Sequence, residues 1–374
     1  MIATFALAFS LSVVLICLLM PAANRLGLID APDSRKHHEG SVPLIGGLAI
    51  YIALAFVFWQ SQQSIWLIAI GFPLMVVGLA DDRWEISARQ RFLVEIVCAF
   101  VAVVYCDVRL YDIGELLPHV GGTLFLLSIP LTIVGMVGVI NAVNMTDGVD
   151  GLAGGLATLT FGALAFLTYP SDPQVALQLV AFVAVLLGFL IFNSQFFGRK
   201  KAALFMGDSG SIFIGFALSW YLIQLSQGAS AVIKPVDALW LIAVPLLDTM
   251  TIMARRMRHG RSPFSADREH LHHILMLAGF GANRTVLIIL ASQVCFILVA
   301  IASIRFNAIS WVMFLLFVGT FAVYFMAMNH AWKVMKRLKH FREWAGIEDS
   351  RRENYESSAI TSGPDRRKAP VQNQ

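Results

Sequence analysis

The sequence predicts an all-α fold, a polytopic membrane bundle of about eleven transmembrane helices. Three observations predict it. Apolar residues make up 57% of the chain and charged residues only 14%, a composition that excludes an ordinary soluble domain. Apolar runs of helical length recur along most of the chain. Lys and Arg collect in alternate connections between those runs. We therefore expect membrane lipids as partners and no nucleic acid.

The predicted spans follow the apolar runs in chain order. They lie near residues 2–20, 45–59, 65–80, 92–106, 123–143, 155–168, 175–193, 210–225, 236–254, 286–304 and 310–328. Of the 28 Lys and Arg residues, all but Arg109, Lys234 and Arg305 fall on one side of this topology. This asymmetry predicts an outward N-terminus and a cytoplasmic C-terminus. No basic residue precedes the first span, which argues against a cleaved signal peptide.

The domain organisation predicted from these runs is simple. Residues 1–345 form one integral membrane domain, and residues 346–374 are polar and aperiodic, so we expect a disordered cytoplasmic tail. A basic amphipathic segment around Met335 and Leu338 precedes the tail and is expected to lie on the anionic inner leaflet.

The first polar motif, Asp81-Asp82, closes the third span. Two adjacent carboxylates at a span end are costly unless they are solvated, paired or bound to a cation. A solvated helix end beside Arg83 is the structural alternative. The pair by itself is a weak signal.

The second motif runs out of the fifth span. Its polar residues recur every third position, and they are Asn141, Asn144, Asp147 and Asp150. Residues three apart share one face of a helix. The spacing therefore predicts a helical stripe of two amides and two carboxylates, with glycines nearby that let a ligand approach closely.

The third motif, Met206–Ser211, leads into the eighth span. Glycines and small hydroxyl residues before a helix favour an anion site at the helix N-terminus. Asp208 in this position repels phosphate unless a divalent cation bridges them, or else it caps the helix. Asn193, at the end of the preceding span, is a candidate second oxygen ligand.

The fourth motif contains His270, His272 and His273 in the longest internal cytoplasmic loop. Neutral imidazoles bind metals, and protonated ones hold phosphate. The two other ionisable residues inside spans are Glu95 and Asp248. Asp248 is expected to face Arg255 or to support the site.

Together the four motifs suit a metal-assisted reaction on a phosphorylated substrate, since all are predicted at one membrane face. Mg²⁺ is commonly held by one or two carboxylates and the substrate's phosphate oxygens. Zinc is the rival metal, but the chain has no His-Glu-x-x-His, and the acidic surroundings favour a hard cation. The four cysteines show no pairing or ligand spacing.

These motifs resemble those of the polyprenyl-phosphate N-acetylhexosamine-1-phosphate transferases. The matching segments occur in the family's order across about residues 20–285. They are Leu44–Gly47, Gly78–Asp82, Asn141–Leu152, Phe205–Ser211, Ser262–Ser265 and Asp267–His273. The last segment is similar to the N-acetylglucosamine branch of the family.

The resemblance implies that undecaprenyl phosphate attacks the β-phosphorus of UDP-N-acetylglucosamine. The products are undecaprenyl-diphospho-N-acetylglucosamine and UMP, and the cofactor is Mg²⁺ or Mn²⁺. It further implies the first membrane step of a lipid-linked surface glycan, such as the O antigen of lipopolysaccharide. The enzyme would lie in a bacterial inner membrane with its site on the cytoplasmic face, and it could form a homo-oligomer.

The resemblance also implies residue roles, taken position by position. The catalytic carboxylates are Asp81, Asp82, Asp147 and Asp150, of which the first pair meets the lipid phosphate. The metal ligands are Asp208 and Asn193. The substrate-binding residues are Asn144, Lys36, His38, His270, His272 and His273.

Three alternatives stay open. The first keeps the chemistry but uses another UDP-N-acetylhexosamine or UDP-MurNAc-pentapeptide; the His-x-His-His segment argues against the pentapeptide. The second is a membrane prenyltransferase, which would need a second Asp-rich motif. The third is a transporter, which predicts acidic groups near mid-membrane rather than at one edge.

Overall fold

The computed structural model describes residues 1–30, 41–61, 65–84, 86–118, 121–196, 199, 201–260, 262, 270–347 and 349. Within these ranges the chain is almost wholly helical, as the composition predicts. The α-helices are α1 Ile2–Leu19, α2 Ala23–Leu26, α3 Gly46–Ser61, α4 Ile65–Trp84, α5 Ala88–Tyr105, α6 Ser128–Thr146, α7 Leu152–Thr168, α8 Pro173–Asn193, α9 Gly207–Gln224, α10 Pro235–Leu241, α11 Ala243–Arg258, α12 Leu271–Leu277, α13 Ala282–Arg305, α14 Ser310–Asn329 and α15 Ala331–Trp344. Two short antiparallel strands, β1 Ile29–Asp30 and β2 Val42–Pro43, pair in the connection before α3.

A helix stands at each of the eleven predicted span positions. Six stretches of the described chain are long and apolar enough to cross a membrane, and they contain α1, α4, α6, α8, α13 and α14. The bent pair α10–α11 brings the number to seven, and α3 and α7 are shorter apolar helices. The protein is therefore a multi-pass membrane protein. The count of eleven spans and the outward N-terminus remain predictions.

The ninth predicted span, 236–254, is not one straight helix. Its two parts, α10 and α11, meet at an angle of 86°. Pro245 has no N–H to donate, so the carbonyl of Leu241 loses its helical partner. Thr160 Oγ1 and Gln293 Nε2 donate to that carbonyl instead, at 2.9 and 2.8 Å, and Gln293 Oε1 accepts from Val244 N at 3.0 Å. Neighbouring helices thus satisfy the broken backbone, as a membrane interior requires.

Helix α9 lies at the centre of the bundle. Every residue from Ser209 to Ile223 is buried, and the helix packs against α3, α4 and α6. Near its C-terminal end, Tyr221 lies 5.9 Å from Phe182 of α8, which stacks on Phe161 of α7 at 4.4 Å. A helix that is apolar all round is held by packing on every side. Packing on all sides therefore holds the N-terminus of α9 in one position.

Glycines bring α3 and α4 close to that N-terminus. A Cβ added at Gly47 would overlap the backbone of Gly210, and one added at Gly78 would overlap the backbone of Ser209. The glycines of the Leu44–Gly47 and Gly78–Asp82 segments thus have a packing role. They let three helices meet where the polar residues lie.

Helix α15 packs on the protein through part of its apolar face. Met335 and Leu338 contact the buried cluster around Leu275 and Val286. Arg342 is also buried, with Nη1 3.1 Å from Asp349. Membrane contact by α15, and a domain boundary at residue 345, remain predictions, and residues 351–374 lie outside the described ranges.

Candidate active site

The four polar motifs meet at one end of the bundle, where α4 and α6 end and α9 and α12 begin. Asp82 contacts the backbone of Asp208, and Asn144 contacts the Asp208 carboxylate. A Cβ added at Gly148 would lie 2.8 Å from Nε2 of His272. The described residues of the motifs therefore lie together at one end of the bundle, and the membrane face that this end occupies stays a prediction. The predicted phosphate contacts Lys36 and His38 lie outside the described residues.

The N-terminus of α9 is closed by a carboxylate of the protein. Asp82 Oδ1 accepts from Asp208 N at 2.7 Å, and Oδ2 accepts from Ser209 N at 3.2 Å. These are two of the N–H groups that a helix leaves unpaired at its start. Gly207 has φ +73°, and a Cβ there would lie 2.5 Å from Asp82 Oδ2. The expectation that this terminus offers an anion site to phosphate is wrong in this structure, because Asp82 occupies it.

Asp208 lies in the same turn, with its carboxylate partly exposed. Its side chain is 34% exposed, and Asn144 Nδ2 donates to its Oδ1 at 2.5 Å and to Ser211 Oγ at 2.9 Å. The alternative that Asp208 caps its own helix is not realised, since no side-chain cap is present on α9 and Asp82 takes that place. Asn144 contacts Oδ1 of Asp208 and Arg91 lies 3.6 Å from its Oδ2, while its partial exposure leaves the carboxylate able to face a ligand.

Arg91, near the start of α5, links two of these carboxylates. Its Nη1 lies 2.8 Å from Asp81 Oδ2 and 3.6 Å from Asp208 Oδ2, and its Nε lies 3.8 Å from Glu95 Oε1. Arg91 is not among the residues predicted from the sequence. The signal was Glu95, an ionisable residue inside a predicted span that needs a partner, with a cation one helical turn before it.

Glu95 and Asn141 form the buried end of this cluster. Both are buried, and Asn141 Nδ2 donates to Glu95 Oε2 at 2.6 Å. Asn141 and Asn144 therefore lie on α6 as predicted, each facing a different carboxylate. The four-residue helical stripe is wrong in its second half, because α6 ends at Thr146.

Asp147 and Asp150 lie in the turn between α6 and α7. Burial, together with the negative charges of Asp208, Asp82 and Asp150, raises the pKa of Asp147 to about 7. Asp150 accepts from Gln195 Nε2 at 3.0 Å and from Ala202 N at 3.1 Å. Asp150 thus ties this turn to the connection before α9, while Asp147 faces the carboxylate cluster.

Asn193 holds backbone rather than the carboxylate cluster. Its Oδ1 accepts from Gly151 N at 2.8 Å, and its Nδ2 donates to Leu204 O at 3.0 Å. Gly151 has φ +82°, where a side chain would be strained. These bonds give Asn193 a structural role, and its predicted metal ligation stays a prediction.

The three histidines form an array next to the turn. The rings of His270 and His272 stack with centroids 5.4 Å apart, and His273 lies 4.2 Å from His272. Burial, with the neighbouring histidines, lowers the pKa of His272 to about 3, so this imidazole is neutral at neutral pH. Nδ1 of His270 lies 2.8 Å from Oδ2 of Asp248, and the expectation that Asp248 supports the site stays a prediction.

The donor set fits a hard divalent cation. Carboxylate oxygens are the ligands Mg²⁺ prefers, and one or two of them suffice when substrate phosphates complete the shell. Among the described residues no three His, Cys, Asp or Glu side chains surround one point. Arg91 bridges Asp81 and Asp208, and the nearby carboxylates of Asp82, Asp147 and Asp150 add further negative charge around this pair when they are ionised.

Comparison with known proteins agrees with this geometry. The profile of glycosyl transferase family 4 matches residues 64–226, which include α4 through α9. A relative from Salmonella typhi is 36% identical over 341 residues, 89% of this chain and 92% of its own length. Relatives from Yersinia pestis and Escherichia coli K12 are each 35% identical over 327 residues, 86% of this chain and 89% of their own length. All three carry the name undecaprenyl-phosphate alpha-N-acetylglucosaminyl 1-phosphate transferase.

Proposed function

The chain belongs to glycosyl transferase family 4, and we propose that it transfers N-acetylglucosamine-1-phosphate from UDP-N-acetylglucosamine to undecaprenyl phosphate. A phosphate oxygen of the lipid attacks the β-phosphorus of the nucleotide sugar. The bond from that phosphorus to the bridging oxygen breaks, and UMP leaves with the oxygen. The product is undecaprenyl-diphospho-N-acetylglucosamine.

One observation carries the proposal beyond the names of relatives. The Asp208 carboxylate stands partly exposed at the fixed N-terminus of α9, with Asp81 and Arg91 beside it. Transfer of a phosphoryl group depends on positioning and on neutralising charge around the reacting phosphorus. The Asp208 carboxylate at the start of α9, with Arg91 of α5 and the amide of Asn144 beside it, would supply both.

A divalent cation, Mg²⁺ or Mn²⁺, is the cofactor we propose. Asp208 and Asp81 would hold it, and it would neutralise the diphosphate and make the β-phosphorus more electrophilic. Arg91 would bind the acceptor phosphate, and its position beside both carboxylates at the start of α5 supports this role. The acceptor is largely ionised near neutral pH, so direct attack needs no strong base.

The remaining polar residues suit the donor. Asn144 and the Asp147–Asp150 turn border the cluster on one side and would shape the nucleotide pocket. His272 lies against Gly148 in that turn, so the histidine array would grip the diphosphate or the sugar. A neutral imidazole offers a hydrogen bond there without a charge.

We further propose that the site faces the cytoplasm of a bacterial inner membrane. The charge asymmetry of the sequence supports this orientation, and UDP-sugars are cytoplasmic substrates. The lipid-linked product would begin a surface glycan such as O antigen. A homo-oligomer is compatible with this arrangement.

The test is transfer by purified protein of label from the sugar of UDP-N-acetylglucosamine to undecaprenyl phosphate in Mg²⁺. We expect butanol-extractable label and release of UMP, with both lost in EDTA and both strongly reduced in Asp208→Asn at the same Mg²⁺ concentration. Asp172→Asn is the matched control, because Asp172 caps the start of α8 away from the site, and it should stay active. Release of UDP instead of UMP would contradict the mechanism.

The rival substrates are separated in the same assay. UDP-N-acetylgalactosamine and UDP-MurNAc-pentapeptide are offered in parallel at equal concentration. Faster transfer from either would change the donor while keeping the reaction. Absence of transfer from every UDP-sugar by folded protein would favour a transporter or a prenyltransferase.

A further inference from the structure

A buried carboxylate outside the four predicted motifs holds the histidine array. Asp248, on α11, is 5% exposed. Its Oδ2 lies 2.8 Å from Nδ1 of His270, and its Oδ1 accepts from Leu271 N at 3.1 Å and from the hydroxyl of Tyr324 at 2.7 Å. The side chain of Asp248 therefore joins its own helix α11 to the start of α12 and to α14.

These three contacts hold the imidazole ring of His270 in one orientation. Asp248 also accepts from Leu271 N and from the Tyr324 hydroxyl, so we assign the hydrogen of this contact to Nδ1 of His270. The hydrogen bond at one ring nitrogen of a histidine decides what the other nitrogen can do. Because Leu271 N donates to the same carboxylate, the ring of His270 and the backbone beside it are held together.

His270 in turn packs against the ring of His272. The rings of His270 and His272 stack almost parallel, with an interplanar angle of 9°. His272 is 3% exposed, and within the described part of the chain its Nε2 is buried without a hydrogen-bond partner. That nitrogen lies against Gly148, beside Asp147. A buried ring nitrogen without a partner at the edge of a site points to a ligand, because such a group is costly to leave unpaired.

We propose that Asp248 and Tyr324 are positioning residues for the donor substrate. They hold His270, and through the stack they set His272 against the Asp147–Asp150 turn to receive the diphosphate–sugar portion of the nucleotide. This inference rests on the proposed function and deepens it. Tyr324 lies on α14, beyond the segment that matches the family profile, so the last apolar helix contributes to the site.

A second buried carboxylate serves as a control that distinguishes a positioning role from an effect on protein stability alone. Asp237, on α10, is also buried, and it accepts from the hydroxyl of Ser303 at 2.7 Å and from Lys234 N at 3.0 Å. No histidine contacts it among the described residues. Asp237→Asn and Ser303→Ala therefore report what a buried carboxylate and its hydroxyl donor contribute to folding alone.

The experiment is a double-mutant cycle read as separate kcat and KM values. We expect Asp248→Asn and His270→Gln each to lower kcat/KM for UDP-N-acetylglucosamine by at least tenfold. KM for undecaprenyl phosphate should stay within twofold, and Tyr324→Phe should lose about threefold. The double variant should be no worse than His270→Gln, because Asp248 acts through His270. Asp237→Asn should keep kcat/KM within twofold at a comparable loss of thermal stability.

If the kcat/KM losses of the two single variants multiply in the double variant, or if Asp237→Asn loses kcat/KM equally, the inference is overturned.

A second readout needs no turnover. Nitrogen NMR of ¹⁵N-histidine protein, with His270 assigned by its absence in His270→Gln, should show hydrogen on Nδ1 in the wild type. Asp248→Asn should change that signal, and an unchanged signal would overturn the positioning role. Failure of the wild type to release UMP would instead reject the proposed function, and the NMR result would still decide how His270 is held.

Discussion

The carboxylate of Asp82 lies 2.7 Å from the backbone nitrogen of Asp208, although 126 residues separate them. One residue of the Asp81-Asp82 pair thus closes the helix that carries the candidate metal ligand, while the other faces Arg91. The two adjacent carboxylates have different tasks because the helix end turns them toward different partners.

Replacing Asp82 by alanine should reduce both stability and activity. The start of α9 loses two hydrogen bonds, which costs roughly 1–2 kcal/mol, and Asp208 loses its fixed position. Asp172→Ala removes a similar cap from α8 and should lower the melting temperature comparably with activity retained. Thermal unfolding and the UMP-release assay measure the two effects. Equal activity in both variants would show that the cap matters only for folding.

Arg91→Gln should raise KM for undecaprenyl phosphate by about tenfold or more, because the loss of a charge-assisted hydrogen bond to phosphate weakens binding. Arg91→Lys should recover only part of the lost affinity for the lipid. The ammonium keeps the positive charge, but it cannot bridge Asp81 and Asp208 as a planar guanidinium does. The control is Arg89→Gln, an exposed arginine on the same helix. A larger effect on KM for the UDP-sugar than for the lipid would assign Arg91 to the donor instead.

Asp208→Asn and Asp81→Asn should each raise the Mg²⁺ concentration needed for half-maximal activity, since each removes a charged oxygen ligand. Asn193→Ala should leave that concentration unchanged and lower the melting temperature, because its amide bonds the backbone of Gly151 and Leu204. Titration of activity with Mg²⁺ distinguishes these outcomes. A shifted Mg²⁺ requirement in Asn193→Ala would restore Asn193 as a metal ligand.

Gly78→Ala should destabilise the protein by about 1–3 kcal/mol, because the added methyl group overlaps the backbone of Ser209. Gly138→Ala is the matched control on α6, where a Cβ meets nothing within 4 Å. It should be neutral or slightly stabilising, since alanine favours helices over glycine. Melting temperatures in one detergent compare the two. A fall in Gly138→Ala equal to that in Gly78→Ala would contradict the packing role.

Stability should fall as the pH drops from about 6.5 toward 3, because burial lowers the pKa of His272 to about 3 while an unfolded histidine titrates near 6.5. In that window the unfolded chain binds more protons, so stability rises with pH, by at most about 1.4 kcal/mol per pH unit. His272→Gln should flatten this slope. Melting temperatures between pH 7.5 and 5 provide the measurement, and equal slopes in both proteins would show that His272 does not contribute.

The sequence by itself determined the helical membrane class, the positions of the apolar helices and the four polar segments. Each depends on composition or on short-range spacing, which a chain displays before it folds. The sequence also predicted that four residues meet at one end of the bundle, namely Asp81, Asn144, Asp208 and His272. This prediction rests on the topology, because alternate ends of successive spans lie on the same side.

Only the tertiary structure decided which side chains face each other. The cap that Asp82 places on α9, the bridge of Arg91 and the bond of Tyr324 to Asp248 join residues on different helices. At the break between α10 and α11, Thr160 and Gln293 from other helices likewise bond the free carbonyl of Leu241. A buried polar group must find a partner wherever the packing puts one, and packing of helices distant along the chain leaves no mark in local spacing.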